Sequence, residues 1–162
     1  MKKAYLITWN KNKWEWENYN EKVNDIAEGK DVVYSWNCSS KQPQIGDEVY
    51  LLNYQSGIVG HGFVIKEAYL GPDFNEEKAK QGYMKNHIDV KFDWLVDKQE
   101  QNYIPVELLN LIFPEQEWKP QASGISIKDE YVEALGELLH KIKKLSSTKV
   151  DFTEMNTFLS QY

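Results

Sequence analysis

The chain has 162 residues, 41% hydrophobic and 27% charged, which supplies apolar material for one core and charge for a soluble surface. Its formal charge is −6 and all 19 basic residues are lysine. It therefore lacks both the basic footprint of a protein that coats nucleic acid and the arginine fork that grips phosphate or guanine in pairs.

One cysteine, Cys38, excludes an intrachain disulfide, and no apolar run reaches membrane-spanning length. Met1-Lys2-Lys3 leads into a strand rather than a signal sequence, so the expected setting is the cytoplasm, with no membrane partner.

In chain order, Lys3 to Trp9 reads as a first strand that ends in the polar turn Asn10-Lys11-Asn12-Lys13. A helix is predicted from Trp14 to about Glu28, with Tyr19, Val23, Ile26 and Ala27 on one face and Gly29 beyond its end. Asp31 to Trp36 is a short extended piece. The strongest β signal is Gly46 to Lys66, two strands joined near Gln55-Ser56-Gly57, with Gly57 free to take a positive φ. Val49 to Leu52 is apolar on both faces and should be covered on both. Gly60 and Gly62 share one face of the second strand. On the glycines alone a barrel corner that needs room is the favoured reading; with the rest of the chain, the group that comes close is argued to be a nucleobase.

Gly71-Pro72 marks a turn, and Asp73 to Gln81 a short exposed helix. His87 to Leu95 alternates apolar and charged residues as a half-buried strand, which puts Trp94 in the core. Pro105 to Ile112 reads as a short helix or turn, with Pro105 acceptable at its first position. Ser126, with Asp129 three residues on, resembles a helix start. The helix runs to about Leu145 with a stripe of Ile127, Tyr131, Leu135, Leu138, Leu139 and Ile142. Residues 1–145 are expected to form one domain, with 146–162 a tail that adds a short helix through Phe152, Met155, Phe158 and Leu159. Few strands with interspersed helices predict an α+β domain on a small mixed or antiparallel barrel-like sheet.

The chemistry-bearing residues favour binding over catalysis. Cys38 as nucleophile with His61 as base, oriented by Asp47 or Asn53, has no local support beyond residue type. Three histidines and one cysteine give no metal-ligand spacing, and no glycine pattern for phosphate is present, so no cofactor or metal is implied. The six tryptophans are the richer signal. Trp9, Trp14 and Trp16 follow the first strand, Trp36 precedes small polar residues, and Trp118 lies in an irregular stretch before Gln121, Ser123 and Gly124. Flat rings beside amides and hydroxyls suit a cage for a flipped base, where stacking contributes ~1–3 kcal/mol per base. The residue types alone leave cage and core equally open.

The order of these motifs resembles the EVE-type domain of the PUA-like superfamily, which also holds the YTH and ASCH domains. The resemblance rests on Tyr5-Leu6-Ile7-Thr8-Trp9-Asn10, Trp14-Glu15-Trp16, Trp36-Asn37-Cys38, Gly46 to Leu52, Gly57-Ile58, Gly60-His61-Gly62 and Trp118 to Ile125, and covers about Lys3 to Leu139. It implies a twisted β-barrel of about five or six strands with flanking helices, and an aromatic pocket for a modified base, first of all a modified cytosine in DNA. On this resemblance Trp9 and Asn10 stand at the pocket mouth. Trp36, Cys38 and Ser39 form one wall, Tyr54 and Gln55 another, and Trp118, Gln121, Ser123 and Gly124 close it.

Bacterial versions of the domain are joined to HNH nucleases. This chain carries no HNH-type histidine cluster, so any cutting would fall to a separate nuclease partner. Related members often carry an arginine near the first tryptophan motif, where Lys13 stands here. The expectation is a non-catalytic reader of a modified base in nucleic acid, acting in defence against foreign DNA or in sorting self from non-self. An RNA-binding module and a protein- or small-molecule-binding domain with structural tryptophans are the rivals.

Overall fold

The structure, a computed structural model, describes residues 2–73, 75–96 and 102–146. Among them, seven strands and four helices follow in the order β1 (Ala4–Trp9), α1 (Tyr19–Ala27), β2 (Val32–Asn37), β3 (Glu48–Asn53), β4 (Gly57–Pro72), α2 (Glu76–Lys80), β5 (Met84–Leu95), β6 (Ile104–Pro105), α3 (Val106–Ile112), β7 (Ile125–Ser126) and α4 (Asp129–Ser146).

All six residues of β3 are buried, as their two-sided apolar pattern requires. β3 pairs parallel with β1 and antiparallel with β4, and the sheet runs β2-β5-β4-β3-β1-β7 with β6 on β4. The mixed, twisted α+β sheet expected from the sequence is present, with two-residue strands raising the count to seven. α4 buries Leu135, Leu138, Leu139 and Ile142. The bare Cα side of its Gly136 faces the Tyr50 hydroxyl of β3.

The ladder does not run right round. β2 stands at one end of the strand order and β7, beside β1, at the other. Two sets of single bonds tie these ends. Trp36 Nε1 donates to the Thr8 carbonyl at 2.8 Å, and Ser39 donates to the Ser123 carbonyl from both its backbone N–H and its Oγ, each at 2.8 Å. The sheet is thus not closed by a ladder; its two ends are tied by these bonds at a seam between β1, β2 and the segment before β7.

Several expectations are corrected. Gly60 and Gly62 face protein rather than a base. A Cβ on Gly60 would lie 2.7 Å from Leu95 Cδ2, and one on Gly62 2.4 Å from the Lys91 carbonyl. They give room to β5 where the β4–β5 register shifts between His61 and Gly62. In the hairpin turn Gly57 does take a positive φ, 157, but it is joined by Gln55 at φ 66. Gly57 also admits the Ile104 carbonyl, 2.1 Å from where its Cβ would stand.

Gly71-Pro72 is not a turn. β4 continues through it, with Pro72 opposite Met84 and Gly71 making room for the His87 ring. α1 begins at Tyr19, not Trp14, because residues 14–17 run irregularly while their indoles pack inward. Pro105 precedes α3 as its cap in extended backbone. Ser126 belongs to β7 opposite Tyr5, so α4 starts three residues later. The predicted tail helix lies outside the described residues.

Candidate functional site

Three chain segments far apart in sequence meet at the seam. β1 delivers Thr8 and Trp9, the end of β2 delivers Trp36, Cys38 and Ser39, and the segment before β7 delivers Ser123 and Gly124. Ser123 is the knot. Its Oγ accepts from the Thr8 backbone N–H at 3.1 Å while its carbonyl takes both Ser39 donors. Gly124 is required beside it. Its φ is +98, and a Cβ there would stand 2.5 Å from Cys38 Sγ. The Tyr54 backbone N–H donates to the Trp9 carbonyl at 2.8 Å, which brings the β3–β4 turn to the same rim.

Most of the expected site residues therefore come together, in altered roles. Trp9 is buried, and its Nε1 donates to the Trp14 carbonyl at 3.1 Å. Asn10 shapes the following turn: its carbonyl accepts from Lys13 and Trp14, and its Oδ1 from Asn12. Trp36 is only 2% exposed. Cys38 is buried, with Sγ 3.3 Å from the Ser40 carbonyl. Burial pushes its thiol pKa up, the reverse of what a nucleophile needs. Tyr54 is half-buried and Gln55 exposed on the turn.

Trp118 is placed elsewhere, 1% exposed, with Nε1 bonded to the Phe113 carbonyl at 3.0 Å and its ring against Phe113. Phe113 in turn meets Tyr131 of α4. Trp118 thus packs in a second aromatic group and closes no pocket with Trp9 or Trp36. Gln121 is exposed.

The aromatic group at the seam is larger than the sequence indicated. Trp16 lies at its centre, with ring centroids 5.4 Å from Trp9, 5.6 Å from Trp14, 5.4 Å from Trp36, 5.0 Å from Tyr19, 4.7 Å from Tyr34 and 5.9 Å from Phe92. Trp16 is 5% exposed, yet its Nε1 has no hydrogen-bond partner among the described residues. A buried donor left without an acceptor costs ~1–3 kcal/mol. Trp14 covers the group from outside, half-buried, tilted 33° to Trp16 and edge-on to Trp36 at 5.3 Å. Lys11 Nζ lies 5.3 Å from the Trp9 ring centroid. Trp14 and Trp16 were legible as tryptophans in sequence, but a helical reading of their segment hid their place in the site.

A second polar cluster lies in the sheet. His61, 4% exposed, makes contacts of 2.6 Å from Nδ1 to Asp93 Oδ1 and 3.1 Å from Nε2 to Glu48 Oε1. Lys2 Nζ stands 3.3 Å from the same Glu48 oxygen. The partners of His61 are thus Glu48 and Asp93, not Asp47 or Asn53. Burial alone would lower the His61 pKa, but the bonds and charges of Asp93 and Glu48 outweigh it and raise it. Glu48 is likewise pushed up by burial, but the His61 bond and charge and Lys2 bring it below its ordinary value. With His61 protonated the four groups balance in charge.

No family model matches the sequence, and no curated protein matches it. Solved structures do match. The human THYN1 protein, crystallised in complex with 5-methylcytosine-containing DNA, superposes with a TM-score of 0.55 at 16% identity, covering 84% of this chain and 96% of that one. A Pseudomonas syringae protein matches at 0.55 and 15%, covering 83% and 98%. A hypothetical protein from Leishmania major matches at 0.51 and 16%, covering 87% and 97%. The likeness shows a shared fold, in keeping with the one the EVE-type resemblance implies, and at such identities it assigns no residue a role.

Proposed function

We propose that this chain binds nucleic acid and reads a modified base at the seam, with a 5-substituted cytosine in DNA as the first candidate. The observation that carries this reading is the convergence at one unladdered seam of an aromatic group with the polar rim of Ser39, Ser123 and the Tyr54 turn. The likeness in fold to a protein crystallised with 5-methylcytosine-containing DNA supports the ligand class. A flipped base suits such a site, because rings take its faces and the rim reads its edge. The proposed action is binding without catalysis. Cys38 is buried as the thiol, and both His61 nitrogens are engaged by carboxylates. A role in defence, with any cutting done by a separate nuclease, is the biological context this reading proposes.

The test is fluorescence anisotropy with labelled DNA and RNA oligonucleotides carrying cytosine, 5-methylcytosine or 5-hydroxymethylcytosine, at low and moderate salt. One buried methyl is worth ~0.8 kcal/mol, so the methylated DNA is expected to bind about fourfold tighter than the unmodified one. With a net charge of −6 and no basic footprint, few phosphates are neutralised, so affinity should fall only gently as salt rises. A preference confined to RNA would make the chain an RNA-binding module. Equal affinity for all bases would overturn the reading.

A further inference from the structure

We propose that the cavity where β1, β7 and the start of α4 meet anchors the nucleic-acid backbone, taking one phosphodiester of the strand whose base the seam reads. This rests on the nucleic-acid binding proposed above and adds where the backbone is held. Three observations carry it: the position of the cavity, its charge, and an unused donor within it.

The cavity measures about 270 Å³, and its polar lining is Lys3, Tyr5, Gln42, Ser126, Lys128 and Asp129. It continues the seam. β1 supplies Tyr5 three residues before Thr8, the stretch after β2 supplies Gln42 three residues after Ser39, and β7 supplies Ser126 three residues after Ser123. At about 3.3 Å per residue along β1, the cavity lies about 10 Å from the Ser39–Ser123 tie, a distance a strand covers within about two nucleotides. Its frame is fixed. The Ile127 N–H donates to the Ala4 carbonyl at 2.9 Å. The buried Gln116 holds the entry to α4 from both sides, donating from Nε2 to the Ser126 carbonyl at 3.3 Å and accepting at Oε1 from the Lys128 N–H at 2.8 Å.

In a chain of net charge −6, this cavity carries an excess of positive charge, Lys3 and Lys128 against Asp129. Lys3 Nζ bonds both Asp129 oxygens, at 2.9 and 2.8 Å, which leaves Lys128 Nζ with no anion among the described residues. α4 is 18 residues long and begins at Asp129, so the positive end of its dipole adds to the excess. One phosphodiester, with a single negative charge, balances it. The unused donor is Tyr5. It is 4% exposed, and its hydroxyl has no hydrogen-bond partner among the described residues. Burial first, then the charge of Asp47, push its pKa above the ordinary value, so it keeps its proton and can donate. A phosphate oxygen is an acceptor for that hydroxyl and an anion for Lys128, with no arginine needed.

Phosphate contacts position a strand without reading it, so substitutions here should weaken all sequences alike. The test is anisotropy with the cytosine and 5-methylcytosine DNA oligonucleotides across a salt series. Lys128→Ala, at an exposed position, is expected to bind both about fivefold more weakly and to lower the salt slope by about one. Tyr5→Phe keeps the ring and should weaken both about threefold. Asp129→Asn removes the one carboxylate, frees Lys3, and should bind both about threefold tighter. Unchanged affinity and slope in Lys128→Ala and Tyr5→Phe, with wild type still preferring the modified base, overturns the anchor and leaves the reader standing. Weaker binding by Asp129→Asn also overturns the anchor. Wild-type binding without base preference, weakened by both other substitutions, supports the anchor and overturns the reader. No binding of either oligonucleotide by wild type overturns both.

Discussion

The two aromatic groups of this molecule use the same residue types to opposite ends. Trp118 lies with Phe113 and Tyr131 against α4, with its indole N–H bonded to a backbone carbonyl. Trp16 is almost as deeply buried, but it lies on an irregular stretch, with Trp14 of the same stretch and Tyr19 of α1 against it, and its N–H has no partner among the described residues. Burial alone does not separate core from site here. What differs between the two is the indole N–H: that of Trp118 has its acceptor, and that of Trp16 has none among the described residues.

That contrast is most exposed to attack at Trp118. Trp118→Ala should lower stability by about 4 kcal/mol in chemical denaturation, as expected for truncating a fully packed indole, while base preference persists in the folded fraction. Loss of preference without loss of stability would move Trp118 into the site.

His61 falls on the satisfied side, and its contribution has a pH window. Its raised pKa makes that contribution complete below the unfolded value of 6.5 and lost as pH climbs through the higher folded value. Glu48, held low, contributes above 4.5 and loses its share as pH falls through its lower folded value. The cluster is therefore strongest between pH 4.5 and 6.5. His61→Gln should cost about 3 kcal/mol near pH 6 and clearly less near pH 9. A cost independent of pH would show that packing, not charge, holds the cluster.

Gly124→Ala tests the seam itself. A left-handed backbone and a Cβ 2.5 Å from Cys38 Sγ should together cost about 2 kcal/mol and loosen the Ser39–Ser123 tie. The smallest effect is expected at Trp16→Phe. Removing an unpaired donor offsets part of the lost ring, so stability in the same assay should change by no more than about 1.5 kcal/mol.

Much of this architecture is legible in the sequence because it depends on local pattern. Val49 to Leu52 announces a strand covered on both faces, and the Leu135 to Ile142 stripe announces α4. The site residues Trp36, Cys38, Ser39, Ser123 and Gly124 were grouped through resemblance, and the structure brings them within bonding reach at one seam. What local pattern hides is register and cover. Asp93 reaches His61 where β4 and β5 shift register, which periodicity does not encode. Gly60 and Gly62 read as room for a base because the approaching strand is thirty residues away in the chain. Trp118 sits in an irregular stretch like those at the seam, and only the Phe113 carbonyl and α4 reveal it as core.

The most direct test follows the indole N–H resonances of the six tryptophans in a proton–nitrogen correlation spectrum during titration with a 5-methylcytosine oligonucleotide. The account predicts that the Trp14 and Trp16 signals move with occupancy while that of Trp118 stays in place. A Trp118 signal that moves with them, or six stationary signals with the oligonucleotide bound, would contradict it.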